Sequence, residues 1–81
     1  MTNNGAGTGP QPGQIWRHYK GGIYRVVLLA REERTGLPGV VYESMRDGLT
    51  WFRPLEDFLA IVRDAHGTQP RFIRYEPQES A

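Results

Sequence analysis

The amino-acid sequence predicts a mainly β fold, namely a small SH3-like antiparallel barrel of about five strands with one short helix. Three observations lead to this prediction. The apolar runs are short, turns containing Gly or Pro separate them closely, and the chain has only 81 residues. An OB-type barrel normally needs a longer chain. A flat sheet with one packed helix is the alternative architecture.

The chain is expected to form one domain between two tails, because a chain of this length holds a single hydrophobic core. Residues 1–13 contain four Gly and two Pro but no charged residue, and residues 77–81 look similar. Such stretches bury too little apolar surface to offset the entropy of ordering them. Both are therefore predicted as disordered tails, which leaves the barrel domain at residues 14–76.

The first hairpin is predicted from residues 14–20 and 23–31, since the Gly21-Gly22 pair supplies positive φ at little steric cost. A loop with an even number of residues would direct the side with Val26 and Leu28 inward. That register would place four side chains together on the outer face: Trp16, His18, Lys20 and Arg25. A three-residue loop would reverse the pairing.

The Asp47-Gly48 pair predicts a second hairpin between residues 40–46 and 49–53, preceded by a loop over residues 32–39. Side-chain alternation places Trp51 on one face of this hairpin, together with Tyr42, Ser44 and Arg53. The opposite face carries Val41, Glu43, Met45, Thr50 and Phe52. Both faces are half apolar, so the sequence leaves open which of them is buried.

A helix is predicted over residues 55–62, packed partly over the barrel. Pro54 suits the first helical position, and Glu56 and Asp57 supply the acidic first turn that a helix favours. The apolar residues recur at helical spacing: Leu55, Phe58, Leu59 and Val62. Residues 64–67 are predicted to turn the chain, and residues 70–76 to form the last strand.

Composition and charge exclude several classes of protein. Ten basic and nine acidic residues give a net charge of +1, which argues against nucleic-acid binding through bulk charge alone. The absence of Cys removes disulfides and thiolate sites and fits a reducing compartment. No apolar run approaches the roughly 20 residues of a membrane span, and the N-terminus lacks the pattern of a signal peptide. A cytoplasmic protein without a membrane partner is expected.

Catalysis and metal binding are not expected. His18 and His66 have neither HExxH nor HxxxH spacing, and two His are too few for a metal site without carboxylate help. The carboxylate pairs Glu32-Glu33 and Glu56-Asp57 lie in a loop and at a helix start, where nothing fixes the separation that acid–base chemistry needs. The expectation is therefore no enzyme, no metal and no cofactor.

Rings and cations are densest in the segment Trp16-Arg17-His18-Tyr19-Lys20. Rings stack on nucleic-acid bases and cations contact phosphates, so this segment is a candidate binding surface. The alternative is that Tyr19 lies in the core, since small barrels need large rings to fill them, while the cations pack against rings along the sheet surface. The candidate ligand-binding residues of this region are Trp16, His18, Lys20 and Arg25.

Three further residues extend the candidate site, namely Trp51, Arg53 and Arg71. Trp51 and Arg53 are two positions apart, hence on one side of a strand, where they could form a binding ledge. Alternatively, Trp51 anchors the core while Arg53 pairs with Glu56 or Asp57. Arg71 either extends a basic surface or lies on a solvated strand face.

Four short motifs stand at residues 17–21 (RHYKG), 40–42 (VVY), 51–58 (WFRPLEDF) and 70–72 (PRF). Together they resemble those of DUF1653, a family of small bacterial domains of unknown function. The resemblance covers roughly residues 13–74 and implies an SH3-type barrel. It implies no catalytic residue, cofactor or substrate. One departure is the second hairpin, where the family often has extra residues before its Trp.

The function expected from these observations is a non-catalytic binding module with an aromatic-basic surface. Nucleic acid or another anionic partner, such as an acidic protein, suits that surface. A peptide-binding module with an aromatic groove is the alternative, and an enzyme is the least favoured reading. The protein is expected to be a monomer.

Overall fold

The computed structural model describes residues 9–76, so residues 1–8 of the predicted tail at 1–13, and the whole predicted tail at 77–81, lie outside the described residues. Within residues 9–76 the chain forms seven strands and one short helix, in this order: β1 Ile15–His18, β2 Ile23–Arg31, β3 Pro38–Ser44, β4 Thr50–Pro54, α1 Leu55–Phe58, β5 Ile61–Asp64, β6 Gly67–Pro70 and β7 Phe72–Arg74. The prediction of a mainly β fold is confirmed.

The strands form two antiparallel sheets. Five of them pair in the order β4-β3-β2-β1-β7, and β5 and β6 form a separate two-stranded sheet. Among the described residues β4 and β7 do not pair with each other, so the five-stranded sheet is not a closed barrel. The expected number of strands matches the main sheet, whereas the expected closure into an SH3-like barrel is not observed.

The turn between β1 and β2 contains three residues, and this length overturns the predicted faces of the first hairpin. The His18 N–H donates to the Gly22 carbonyl at 2.8 Å, which leaves Tyr19-Lys20-Gly21 as the loop. Gly21 takes the positive φ of +108° that the turn requires. Residues of equal parity therefore share a face, so Trp16 lies opposite Tyr24 and points inward.

The second hairpin has the predicted faces, and the structure decides which of them is buried. Ser44 pairs with Leu49 around a four-residue loop, so Tyr42 lies directly opposite Trp51. The face with Tyr42 packs on the core, and Phe52 lies on the outer face. Gly39 is required beneath Phe52, because a Cβ at residue 39 would overlap the Phe52 ring.

The predicted helix over residues 55–62 is wrong in length. Helix α1 ends at Phe58, and Ile61 and Val62 begin strand β5, which pairs with β6. The β-branched side chains of Ile61 and Val62 suit a strand, and their pairing with β6 outweighs the helical spacing. The predicted last strand is also divided, because Arg71 separates β6 from β7.

The core lies between the inner face of the five-stranded sheet and helix α1. It consists of six residues: Trp16, Val26, Val40, Tyr42, Phe58 and Phe72. Phe58 is completely buried and is stacked parallel to Phe72, with 4.0 Å between ring centroids and 6° between ring planes. Trp16 meets the same Phe58 ring edge-on at 5.3 Å. One helical turn thus inserts a single aromatic anchor into a small core.

The chain before β1 packs against the sheet within the described range. Pro10 is buried, and the Gly13 N–H donates to the Val26 carbonyl at 2.8 Å. A bulge near Val27 shifts the inward-facing position of β2 from Val26 to Leu29. Leu29 and Pro10 line one cavity beside α1. The predicted domain start at residue 14 stays a prediction, but residues 9–13 contact the sheet.

Strand β4 forms one edge of the five-stranded sheet. The Ser44–Leu49 hydrogen bond sets the pattern, so the backbone groups of Trp51 and Arg53 face β3. The backbone groups of Thr50, Phe52 and Pro54 face away from β3. No further strand of the described chain pairs with this edge.

Candidate functional site

A pocket lined mainly by aromatic rings opens on the inner face of the five-stranded sheet. Its volume is about 170 Å³. We call it the aromatic pocket, and its lining residues are His18, Tyr24, Tyr42, Trp51, Arg53 and Phe72. Every strand of the sheet contributes at least one of these residues. The pairing between neighbouring strands directs all of these side chains to the same face of the sheet.

The rings of the aromatic pocket hold each other in edge-to-face contacts. The His18 and Phe72 rings lie 4.9 Å apart at 79°, and those of Tyr24 and Tyr42 lie 5.3 Å apart at 80°. Trp51 differs from them, because half of its surface (50%) is exposed to solvent. The pocket therefore combines a rigid aromatic floor with one indole ring at its rim that is free to stack on a planar group.

Arg53 provides a fixed cation in the pocket wall. Its Nε donates to the Tyr42 hydroxyl at 3.1 Å, and its Nη1 donates to Asp57 Oδ2 at 2.7 Å. Partial burial opposes the charge, but the Tyr42 hydrogen bond and the Asp57 carboxylate outweigh this cost and raise the pKa of Arg53. The guanidinium carbon lies 5.9 Å from the Phe72 ring centroid. Arg53 is therefore both charged and held in one orientation.

Arg71 shares the same carboxylate. Its Nε donates to the backbone carbonyl of Asp57 at 3.0 Å, and its Nη2 lies 3.4 Å from Asp57 Oδ1. Helix α1 positions Asp57 four residues after Arg53, which brings both arginines to one anion. Two guanidinium groups against one carboxylate leave this cluster with one net positive charge.

The protonation of His18 is disfavoured by its burial and by these positive charges. Its pKa is lowered from the ordinary value of 6.5, first by burial and then by the charges of Arg53, Arg71 and Lys20. The Lys20 backbone N–H donates to His18 Nδ1 at 3.2 Å, so the neutral ring carries its proton on Nε2. A cationic ligand would meet the same repulsion as the imidazolium. The pocket therefore favours an anionic or neutral planar ligand.

The structure brings together only some of the predicted site residues. His18, Trp51 and Arg53 line the aromatic pocket, and Arg71 adjoins it through Asp57. The expected pairing of Arg53 with Asp57 is observed, although Arg53 also lines the pocket. Lys20 lies in the neighbouring turn, with its Nζ 5.8 Å from the Tyr19 ring centroid.

Two predicted site residues lie elsewhere. Trp16 is buried in the core and donates from Nε1 to Gln14 Oε1 at 3.0 Å, whereas the outer face was expected. Arg25 points to the outer face and pairs with Glu43, so the predicted grouping of Trp16, His18, Lys20 and Arg25 is wrong. Arg25 keeps its predicted outer face, and the three-residue turn is the cause because it moves Trp16 and His18 to the inner face.

Three lining residues were not expected at the site, namely Tyr24, Tyr42 and Phe72. The length of the first turn would have located Tyr24 and Tyr42, because it decides which residues of β1 and β2 share a face. With a three-residue turn, Tyr24 falls on the same face as His18, and pairing with β3 then adds Tyr42. Phe72 becomes a neighbour only through the pairing of β7 with β1, which joins distant parts of the sequence.

Neither a cluster of metal-binding side chains nor a membrane-spanning helix occurs among the described residues. Residues 9–76 contain no group of three or more His, Asp or Glu that could hold a metal ion. In the same range no helix has the length and apolar character needed to cross a membrane. Whether the domain lacks catalytic activity stays a prediction.

Fold and site together define a small mainly β domain with an aromatic, positively charged pocket. The family model described as protein of unknown function (DUF1653) matches residues 14–74. The chain therefore belongs to the DUF1653 family, as its four motifs predicted. No curated protein matches the chain.

A solved structure supports the same assignment. It is the crystal structure of a DUF1653 protein from Bordetella bronchiseptica, which is 36% identical to this chain. The alignment covers 88% of this chain and 92% of that chain, with a TM-score of 0.68. This similarity supports the fold and brings no ligand or activity with it.

Proposed function

We propose that the domain is a non-catalytic module that binds single-stranded nucleic acid through the aromatic pocket. The observation that carries this proposal is the half-exposed indole of Trp51 in one pocket with the oriented guanidinium of Arg53, whose partner Asp57 also holds Arg71. Single-stranded nucleic acids offer an unpaired planar base and an adjacent phosphate, which match these two kinds of group.

Stacking supplies the contact with the base. A base placed against Trp51 covers an apolar ring that otherwise faces solvent, and such stacking contributes about 1–3 kcal/mol per base. His18 and Arg53 present N–H donors at the same pocket, and base edges and phosphates both accept hydrogen bonds. The ring contacts that support the floor keep these groups in place before the ligand arrives.

Charge supplies the contact with the phosphate. Arg53, Arg71 and Lys20 are all close enough to His18 to depress its pKa, and Asp57 neutralises only one of these cations. Two uncompensated charges predict a modest salt dependence, with a slope of log K against log salt of about −1.4 for a single strand. This local charge explains how a domain with a net charge of only +1 can bind a polyanion.

An amide-shift NMR titration with single-stranded RNA and DNA oligomers at low salt tests the proposal. Trp51 and Phe52 form a matched pair, because they are adjacent, similarly exposed (50% and 47%) and on opposite faces of β4. Trp51→Ala is expected to weaken binding about fivefold to a hundredfold, as loss of one stacked base predicts. Phe52→Ala is expected to leave the affinity unchanged.

Three outcomes decide between the candidate functions. Shifts at the aromatic pocket that fade with added salt support nucleic-acid binding. Equal losses for Trp51→Ala and Phe52→Ala contradict it, because the stacking surface would then not matter. If oligomers cause no amide shifts but an acidic or aromatic peptide does, the peptide alternative is favoured. The open edge of β4 beside Trp51 offers a pairing site for such a peptide.

A further inference from the structure

A second cavity lies beside the end of β1, on the other side of the sheet. Its volume is about 350 Å³, and we call it the Arg17 pocket. Its lining residues are Arg17, His18, Tyr19, Gln69, Pro70 and Ile73. Arg17 and Ile73 are directly paired neighbours of β1 and β7, and their side chains alternate with those of the aromatic pocket. The Arg17 pocket therefore opens on a different face of the sheet from the aromatic pocket and shares only His18 with it.

The Arg17 pocket repeats the chemistry of the first one. Tyr19 supplies a half-buried ring, and the Lys20 ammonium lies 5.8 Å from its centroid. The exposed Arg17 forms no ion pair among residues 9–76. The lining contains no carboxylate, although Asp64 accepts a hydrogen bond from the Gln69 amide at 3.1 Å. The Gln69 carbonyl oxygen points to no partner among the described hydrogen bonds.

His18 connects the two cavities. It lines both of them, and its ring lies 4.6 Å from the Tyr19 ring at an angle of 35°. The Tyr19 N–H donates to the Arg71 carbonyl at 2.9 Å, so the turn is fixed to the chain segment that carries the second guanidinium of the site. A flexible single strand can cross this turn, where the Lys20 ammonium is exposed to meet its phosphate.

We infer that the Arg17 pocket is a second nucleotide subsite, so that the domain binds two consecutive nucleotides of one strand, one in each cavity. Tyr19 stacks on the second base, the Gln69 amide meets its edge, and Arg17 with Lys20 holds the phosphate. This inference rests on the proposed function and adds to it a length and a path for the strand.

The test compares adenosine 5′-monophosphate with the 5′-phosphorylated dinucleotide pApA, in ribose and deoxyribose forms, by NMR titration of the full chain. The wild type is expected to bind pApA about fivefold to a hundredfold more tightly than the mononucleotide, the gain that one stacked base provides. The backbone amides of Gln69 and Ile73 are expected to shift at lower concentrations of pApA than of the mononucleotide.

Three variants test which residues provide the higher affinity for pApA. Arg17→Gln and Tyr19→Leu are each expected to reduce the ratio of the two affinities, measured within the same variant, toward one. Both changes keep the Tyr19 backbone hydrogen bond that fixes the turn. Arg34→Gln is the matched control, because it removes one exposed charge in the loop before β3 and is expected to change neither affinity.

The failures of the two proposals are distinguishable. If the wild-type ratio is near one while Trp51→Ala abolishes mononucleotide binding, the second subsite is wrong and the proposed function stands. If Arg17→Gln and Tyr19→Leu both keep the full ratio, the second base lies elsewhere and the inference is overturned. If neither ligand binds, both proposals fail.

Discussion

Replacement of Phe58 by Ala tests whether one helical turn holds the core together. Phe58 is completely buried, stacks on Phe72 at 4.0 Å, and meets the Trp16 and Tyr42 rings edge-on at 5.3 and 5.5 Å. Helix α1 has only four residues, and Phe58 is the one that it buries. Truncation at this position therefore removes the fully buried contact between the helix and the sheet.

The expected loss follows from burial of this ring. Phe→Ala at a buried site lowers the free energy of unfolding by about 3–5 kcal/mol, because the transfer energy of the ring and the cavity left behind both count. In a domain of this size each 1 kcal/mol lowers Tm by about 4–8 °C, so the decrease amounts to about 12–40 °C. Many small domains have only about 5 kcal/mol to lose.

Urea unfolding followed by circular dichroism measures the loss, with Phe52→Ala as the matched control. Phe52 is 47% exposed on the opposite face of the sheet, and about 1 kcal/mol is expected for its truncation, half of the transfer energy of a full side chain. Equal losses for the two variants would refute the argument. An unchanged midpoint for Phe58→Ala would show that α1 does not cover the core.

Three further predictions concern the outer face, the pocket and its charges. Gly39→Ala is expected to lower the free energy of unfolding by about 1–3 kcal/mol through overlap with the Phe52 ring, and a double-mutant cycle with Phe52→Ala should recover most of it. Because the folded pKa of His18 lies below the ordinary 6.5, the unfolded chain binds its proton first as pH falls below 6.5. Stability is therefore expected to decrease from pH 7.5 to 5.5 in urea unfolding, and His18→Gln should flatten that slope. Asp57→Asn is expected to tighten oligonucleotide binding severalfold at low salt, because it leaves Arg53 uncompensated, and anisotropy at two salt concentrations checks it.

Local signals in the sequence were sufficient to locate most strands and the positions of both turns in the main hairpins. Alternating apolar residues, together with the Gly21-Gly22 and Asp47-Gly48 pairs, located the ends of β1 to β4 to within two residues. They could not fix the length of the first turn, because Gly21-Gly22 fits loops of two or three residues equally well. That single residue decides whether Trp16 points to solvent or into the core, so the predicted site inherited the error.

Pairings between distant segments explain the remaining differences. Val62 satisfies both a helical period and the preferences of a strand, and only the partner strand β6 decides between them. Phe72 reaches the aromatic pocket because β7 pairs with β1 across more than fifty residues of sequence. Such contacts depend on the assembled sheet, which residue spacing does not encode. The pairing of Arg53 with Asp57 was predictable, because it joins positions four residues apart on neighbouring elements.

Pro54 has a consequence for the behaviour of the domain at high concentration. An open sheet edge is a template for pairing with other chains, and β4 turns the backbone groups of Thr50, Phe52 and Pro54 toward solvent. Pro54 has no N–H, so this edge offers only two donors to an approaching strand. An approaching strand can therefore accept only two backbone hydrogen bonds from β4, so the proline that precedes α1 makes this edge a poorer template for intermolecular pairing.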